Sequence, residues 1–149
     1  MIKYIKSISQ ISIEECYESI LKNQSLVYCA FINEFDISIY PDILSDVDMK
    51  RVNEFIKFDD KMRSIVGRMI ICQILALIMQ IKPSSVEILV NKFGKPFCKN
   101  RICHFSISHS NKCVVVALNS RLVGVDVEFV KSGIYWTDIA QTIFSDKEC

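Results

Sequence analysis

Leu122-Val123-Gly124-Val125-Asp126-Val127-Glu128-Phe129 is the stretch around which the chain reads. Val123, Val125, Val127 and Phe129 alternate with Gly124, Asp126 and Glu128. A period of two predicts a β-strand with one buried face. Its other face then carries two carboxylates side by side, next to a residue with no side chain. Paired carboxylate oxygens suit Mg²⁺, and a glycine lets a bulky ligand approach the backbone. The plainer reading is a half-exposed strand with a wetted acidic face, which the same alternation also describes.

Working outward, the preceding segments are short strands joined by tight turns. Val86 to Val90 reads as a strand, and Asn91-Lys92-Phe93-Gly94-Lys95-Pro96 as a turn fixed by its glycine and proline. His104 to Ser108 alternates again. Ser110-Asn111-Lys112 turns the chain into the apolar run Cys113 to Leu118, and Asn119-Ser120 turns it into the acidic stretch. Such spacing predicts an antiparallel sheet. Ser25 to Phe35 reads as a further strand. Ser45 or Asp46 caps a short helix running through Lys50, Arg51 and Phe55. Asp59 or Asp60 caps a long helix to about Ile81, ended by Pro83. That helix is apolar nearly all round in its second half, so it is expected to be covered on most sides. Arg63 and Gly67 lie four apart on one face of its first half, where a surface arginine and a helix-packing glycine are the ordinary alternative. At the start of the chain, Ser12 with Glu15 could form a capping box opening a helix from Ile13 to Leu21. Beyond the acidic stretch, Ile134 to Phe144 has helical spacing.

The chain has 149 residues, half of them hydrophobic, which gives a single domain with a real core and excludes a disordered chain. A formal net charge of +1 supplies no general attraction to nucleic acid or to a membrane surface. The seven cysteines form no C-x-x-C pair, and only two histidines are present, which argues against a zinc site. Their scatter through apolar runs suits free thiols in a reducing cytoplasm. The first residues lack a signal-peptide core. The most apolar run, Met69 to Ile81, is short for a bilayer span and reads as a buried helix. A cytoplasmic protein is expected.

Phe93-Gly94-Lys95-Pro96-Phe97, then Phe105-Ser106-Ile107-Ser108-His109-Ser110, then Val123-Gly124-Val125-Asp126-Val127-Glu128, in that order, resemble the Sfp-type 4′-phosphopantetheinyl transferases. Phe144-Ser145 with Glu148 looks like the next element of that family. The resemblance runs from about Ser25 to the last residue. The family's W-x-x-K-E segment, with a further carboxylate and a lysine, would come later than Cys149. The resemblance implies an α+β, 4′-phosphopantetheinyl transferase-like fold of two similar halves with antiparallel sheets. Residues 25–119 would form the first half, 120–149 the start of a second, incomplete half, and 1–24 an N-terminal appendage. A faint repeat fits this: Leu44-Ser45-Asp46 after one strand, Phe144-Ser145-Asp146 after another.

The family transfers the phosphopantetheine arm of coenzyme A to a serine of an acyl- or peptidyl-carrier protein, releasing adenosine 3′,5′-bisphosphate. By the resemblance, Asp126 and Glu128 would hold Mg²⁺. Glu148 would position a metal-bound water or deprotonate the carrier serine; a frayed-end glutamate is the alternative. Arg63 and His109 would bind the 3′-phosphate of coenzyme A, and Lys95 would hold a cation toward the nucleotide. Arg51 falls near another coenzyme A contact. Ser108 would donate to phosphate or satisfy a strand end. The guanidinium of an arginine suits a phosphate dianion bidentately, and a histidine beside phosphate gains a proton. A coenzyme A-binding remnant without transfer activity is the alternative function. Apolar faces left uncovered by an incomplete second half would invite self-association or a complementing chain.

Overall fold

The structure, a computed structural model, describes residues 1–130. The expected helix over 134–144, the Phe144-Ser145 element and Glu148 lie outside the described residues. A four-stranded sheet and a small two-stranded sheet pack with helices into one α+β body.

The centre of the large sheet is built by the two most apolar runs. β2 (Leu26–Phe31) pairs antiparallel with β6 (Cys113–Asn119), Tyr28 opposite Val116. On the other side of β6 lies β5 (His104–Ser110), antiparallel, with Ile107 opposite Val116. β1 (Ile2–Tyr4) completes the order β1-β2-β6-β5 and is the one strand of the sheet paired parallel. The pleat puts Tyr28, Ala30, Val114, Val116, Phe105 and Ile107 on one face. That face receives the long helix.

α1 (Ile13–Leu21), α2 (Tyr40–Ile43), α3 (Asp46–Asn53) and α4 (Phe58–Met79) are the helices. α4 fills the core: Val66, Met69, Ile70, Ile71, Ile74 and Leu75 are fully buried. At roughly 2 kcal/mol per fully buried large aliphatic side chain, this helix is the largest contributor to the hydrophobic core. It is long and apolar enough to cross a membrane by length and composition, and here two thirds of its most apolar window is buried against the fold. Gly67 lets it approach the sheet. A Cβ there would stand 3.2 Å from Ile107 Cγ2 and 3.5 Å from Val114 Cγ1. The packing role foreseen for this glycine is therefore the one it has.

Local signals held in most places. Ser45 Oγ accepts from the Asp48 backbone N–H at 3.2 Å and starts α3. Ser12 Oγ accepts from the Glu15 N–H and starts α1, but Glu15 turns to Lys3 instead of closing the box. The closed capping box lies upstream, between Ser7 and Gln10, around a short 3₁₀ turn. Three expectations differ. Asp59 and Asp60 stand inside the first turn of α4, whose N-cap position is Lys57 without a side-chain cap; Asp60 instead engages Arg63 and Asp59 engages Lys112. Residues 1–24 are built into the body: β1 extends the sheet, and Ile5, Ile8, Ile11 and Cys16 are buried in the core. The separation as an appendage missed that a three-residue edge strand and one amphipathic helix suffice to anchor a terminus. Finally, residues 122–130 join neither sheet.

That last segment still alternates as expected. Val123, Val125 and Val127 are half-buried, while Gly124, Asp126 and Glu128 are exposed. It runs alongside β5 in the same direction, tied by side chains. Ser108 Oγ accepts from the Val127 N–H at 3.4 Å, and Ser110 Oγ from the Phe129 N–H at 3.0 Å. Serine hydroxyls occupy the place that ladder carbonyls would take in a regular strand.

The small sheet is a hairpin of β3 (Ile88–Val90) and β4 (Pro96–Cys98). Its turn is shaped by Asn91, whose Oδ1 accepts from both the Phe93 and Lys95 N–H at 2.9 Å. Gly94 takes φ +82°, a left-handed conformation natural to glycine.

Candidate functional site

A cleft of about 260 Å³ opens where the first half of α4 faces the end of β5. Arg63, Gly67 and Arg68 line it from the helix, Ile107 and His109 from the strand, and Pro96 from the hairpin. Helical spacing brings Arg63 and Gly67 to one face, and the period of two brings Ile107 and His109 to the same side of β5.

Arg63 is held on two sides. Its Nη1 donates to the Asn111 carbonyl at 2.6 Å, in the β5–β6 turn, and its Nη2 to Asp60. Its side chain is only 16 % exposed, and its Nε–H is buried without a hydrogen-bond partner among the described residues. A buried guanidinium N–H without a partner is costly, and an anionic oxygen is the acceptor that relieves it. Arg68 pairs with the buried Asp48, Nη2 to Oδ1 at 3.0 Å, so its charge is already matched.

On the opposite face of β5, Ser108 and Ser110 point toward the acidic segment. Ser108 Oγ donates to Asp126 Oδ1 at 2.6 Å, and Ser110 Oγ to Glu128 Oε2 at 3.2 Å. The two carboxylates are thus presented together along the exposed edge. His109 sits between the two serines, its side chain on the cleft side. Each carboxylate keeps a second oxygen for other partners. No cluster of three or more metal-ligating side chains occurs among the described residues. A pair of carboxylates fits Mg²⁺, which takes few protein ligands and completes its shell with phosphate oxygens and water.

Lys95 lies elsewhere. It lines a neighbouring cavity of about 360 Å³, largely apolar, between the hairpin and β5, and Pro96 borders both spaces. Its Nζ donates to the Val123 carbonyl at 2.7 Å, tethering the start of the acidic segment. Arg51 is exposed on α3 and lines neither space. So Arg63 and His109 share a cleft, Ser108 serves Asp126, Lys95 serves the adjoining cavity, and Arg51 stands apart. Sequence reasoning missed Arg68, Asp60 and Ser110. Ser110 had a signal: Ser108-x-Ser110 repeats the spacing of Asp126-x-Glu128, so two matching pairs can meet edge to edge.

The chain belongs to the 4′-phosphopantetheinyl transferase family. The family described as "4′-phosphopantetheinyl transferase, N-terminal" matches residues 33–121. Among curated relatives, the chain is 30 % identical over 119 residues to 4′-phosphopantetheinyl transferase gsp of Aneurinibacillus migulanus, covering 78 % of this chain and 49 % of the relative. It is 32 % identical over 100 residues to a 4′-phosphopantetheinyl transferase of Bacillus subtilis, covering 66 % and 44 %. To 4′-phosphopantetheinyl transferase Sfp of Bacillus subtilis (strain 168) it is 26 % identical over 106 residues, covering 70 % and 46 %. The chain spans about half the length of these relatives.

Proposed function

We propose that this chain provides the coenzyme A-binding and acidic-site part of a Mg²⁺-dependent 4′-phosphopantetheinyl transferase, which moves the phosphopantetheine arm onto a carrier-protein serine. The observation that carries the reading is the arrangement around β5. A buried arginine whose Nε–H has no partner among the described residues shares a cleft with His109 on one face, while Asp126 and Glu128 are presented by serines on the other.

In this reading Arg63 and His109 take a phosphate of coenzyme A, the Arg63 Nε–H supplying a donor with no competing partner among the described residues. Asn111 and Asp60 fix the guanidinium plane, so little freedom is lost on binding. Asp126 and Glu128 would hold Mg²⁺, which when bound neutralises charge building on the pyrophosphate oxygens. Ser108 and Ser110 orient the two carboxylates through one oxygen each. Lys95, by holding the Val123 carbonyl, keeps the acidic segment against β5 and leaves its charge near the nucleotide. Glu148, outside the described residues, would position a metal-bound water or deprotonate the carrier serine. Transfer breaks the phosphoanhydride and releases adenosine 3′,5′-bisphosphate.

Calorimetric titration of the chain with coenzyme A, with and without Mg²⁺, tests this. Arg63→Ala and His109→Ala are each expected to weaken binding about tenfold or more, the value of a charge-assisted hydrogen bond. Asp126→Asn should abolish the gain conferred by Mg²⁺. Intact-mass measurement of an apo carrier protein then reports transfer. Failure of the chain to bind coenzyme A overturns the proposal. Binding without transfer keeps the site and reassigns this chain to a coenzyme A-binding role.

A further inference from the structure

Among the described residues six cysteines occur, and four of them, Cys16, Cys72, Cys98 and Cys103, are buried. The other two, Cys29 and Cys113, are half-buried and touch: their sulfurs lie 3.5 Å apart. Cys29 stands opposite Val115 and Cys113 opposite Phe31, so the two are diagonal neighbours on one face of the β2–β6 ladder. This is the face away from α4. Of the residues used in the reading above, Ser108 and Ser110 of β5 lie on this face, Ser108 opposite Val115 and Ser110 opposite Cys113.

We propose that Cys29 and Cys113 are a redox-active dithiol that closes into a reversible cross-strand disulfide and tunes the arginine cleft. The chemistry needs an oxidant, taken here as a low-molecular-weight disulfide. One cysteine thiolate attacks it, forming a mixed disulfide and releasing one thiol. The second cysteine then attacks the mixed disulfide and releases the second thiol. Two electrons pass to the oxidant, and the two cysteine protons end on the thiols released. Excess thiol reverses both steps.

Closure matters because of where Cys113 sits. Bonding distance for sulfur is about 2.0 Å, so the two atoms must approach by about 1.5 Å. Cys113 opens β6 directly after the turn that carries Asn111, the carbonyl that fixes Arg63, and Lys112, the partner of Asp59. It also stands opposite Ser110, which presents Glu128. A pull on the first residue of β6 therefore reaches both the guanidinium anchor and one of the acidic pair. Burial and the hydrogen bond shared with Cys29 push the Cys113 thiol up to about 11, so Cys113 is mostly protonated near neutral pH and is a slow nucleophile.

The test uses the full chain. It is incubated with oxidised glutathione, then alkylated and digested without reduction, and peptides are read by mass. The expected result is a Cys29–Cys113 cross-linked peptide lacking two hydrogens, regenerated to free thiols by dithiothreitol and absent from Cys29→Ser and Cys113→Ser. Linkage of either residue to Cys149, or a glutathione adduct that never advances to the cross-link, overturns the proposal. The tuning part rests on the coenzyme A reading. Oxidised wild type is expected to bind coenzyme A at least about fivefold more weakly than reduced wild type, a modest coupling between sites. The Cys29→Ser chain should bind alike under both conditions. Equal affinity in oxidised and reduced wild type refutes the tuning. Absence of binding in every form instead indicts the coenzyme A reading, and the peptide map still decides the disulfide.

Discussion

Removing the carboxylate of Asp48 should cost this fold more than removing any surface charge. Asp48 is 4 % exposed, and both its oxygens are used: Oδ1 by Arg68 and Oδ2 by the Ser45 hydroxyl at 2.9 Å. The ion pair joins α3 to α4 and stands behind the cleft. At 3.0 Å the gross attraction is about 5 kcal/mol at an effective dielectric of about 20. Most of that offsets desolvation, so the pair itself is a small net gain. Breaking it is another matter, since Arg68, 14 % exposed, would keep a charge with neither full hydration nor a partner. Loss of one member of a buried pair costs about 3–5 kcal/mol, and the residual exposure of Arg68 sets the expectation at about 3 kcal/mol for Asp48→Ala. In a chain of this size that lowers the melting temperature by about 6–12 °C. Urea unfolding followed by circular dichroism would measure it. Asp48→Leu combined with Arg68→Met should recover most of the loss, because neither charge is then stranded. A cost below about 1 kcal/mol for Asp48→Ala, or a double variant as unstable as the two single changes added, would refute the reasoning.

Gly67→Val should destabilise by about 1–3 kcal/mol through overpacking, because the space that its side chain needs is held by Ile107 and Val114; a urea midpoint equal to wild type would contradict this. Alkaline pH should weaken the fold. Burial raises Cys16 to about 11 and Cys72 and Cys103 to about 12, against an ordinary value of 9.0, so the folded state holds protons that the unfolded chain releases. Their contribution is complete below about pH 9 and is lost as pH rises toward about 12; urea midpoints at about pH 8 and pH 10.5 should differ in that direction, and Cys72→Val should reduce the difference.

Where a single period dominated, the sequence was legible. Ser25 to Phe35 and Cys113 to Leu118 read as strands and supply the two inner strands of the large sheet, and the apolar second half of α4 reads as a covered helix and is core. Turn chemistry was also local: Asn91 and Gly94 specify their bend without help from the rest of the chain. Two things were not local. The docking of residues 1–24 depends on a parallel pairing to β2, for which no short-range pattern exists. The cap of α4 depended on a competition: Asp59 and Asp60 carry cap chemistry, yet Lys112 and Arg63 offer them stronger, charged partners.

The acidic stretch shows why a correct pattern need not mean a correct element. Its valines are half-buried and its carboxylates exposed, as alternation demands, yet it joins neither sheet. Alternation reports which side chains face the body, and that requirement is met by any extended segment lying on a surface. Ladder formation asks in addition that backbone groups of the neighbour be available in register. Here β5 offers Ser108 and Ser110 instead, and each hydroxyl accepts from a backbone N–H while donating to a carboxylate. The same two residues thus hold the segment and aim Asp126 and Glu128. Replacing a ladder by serine contacts gives up strand stability at the place where two like charges must be kept close together. A hydroxyl donated to each carboxylate offsets part of their mutual repulsion, and a divalent cation would offset the rest.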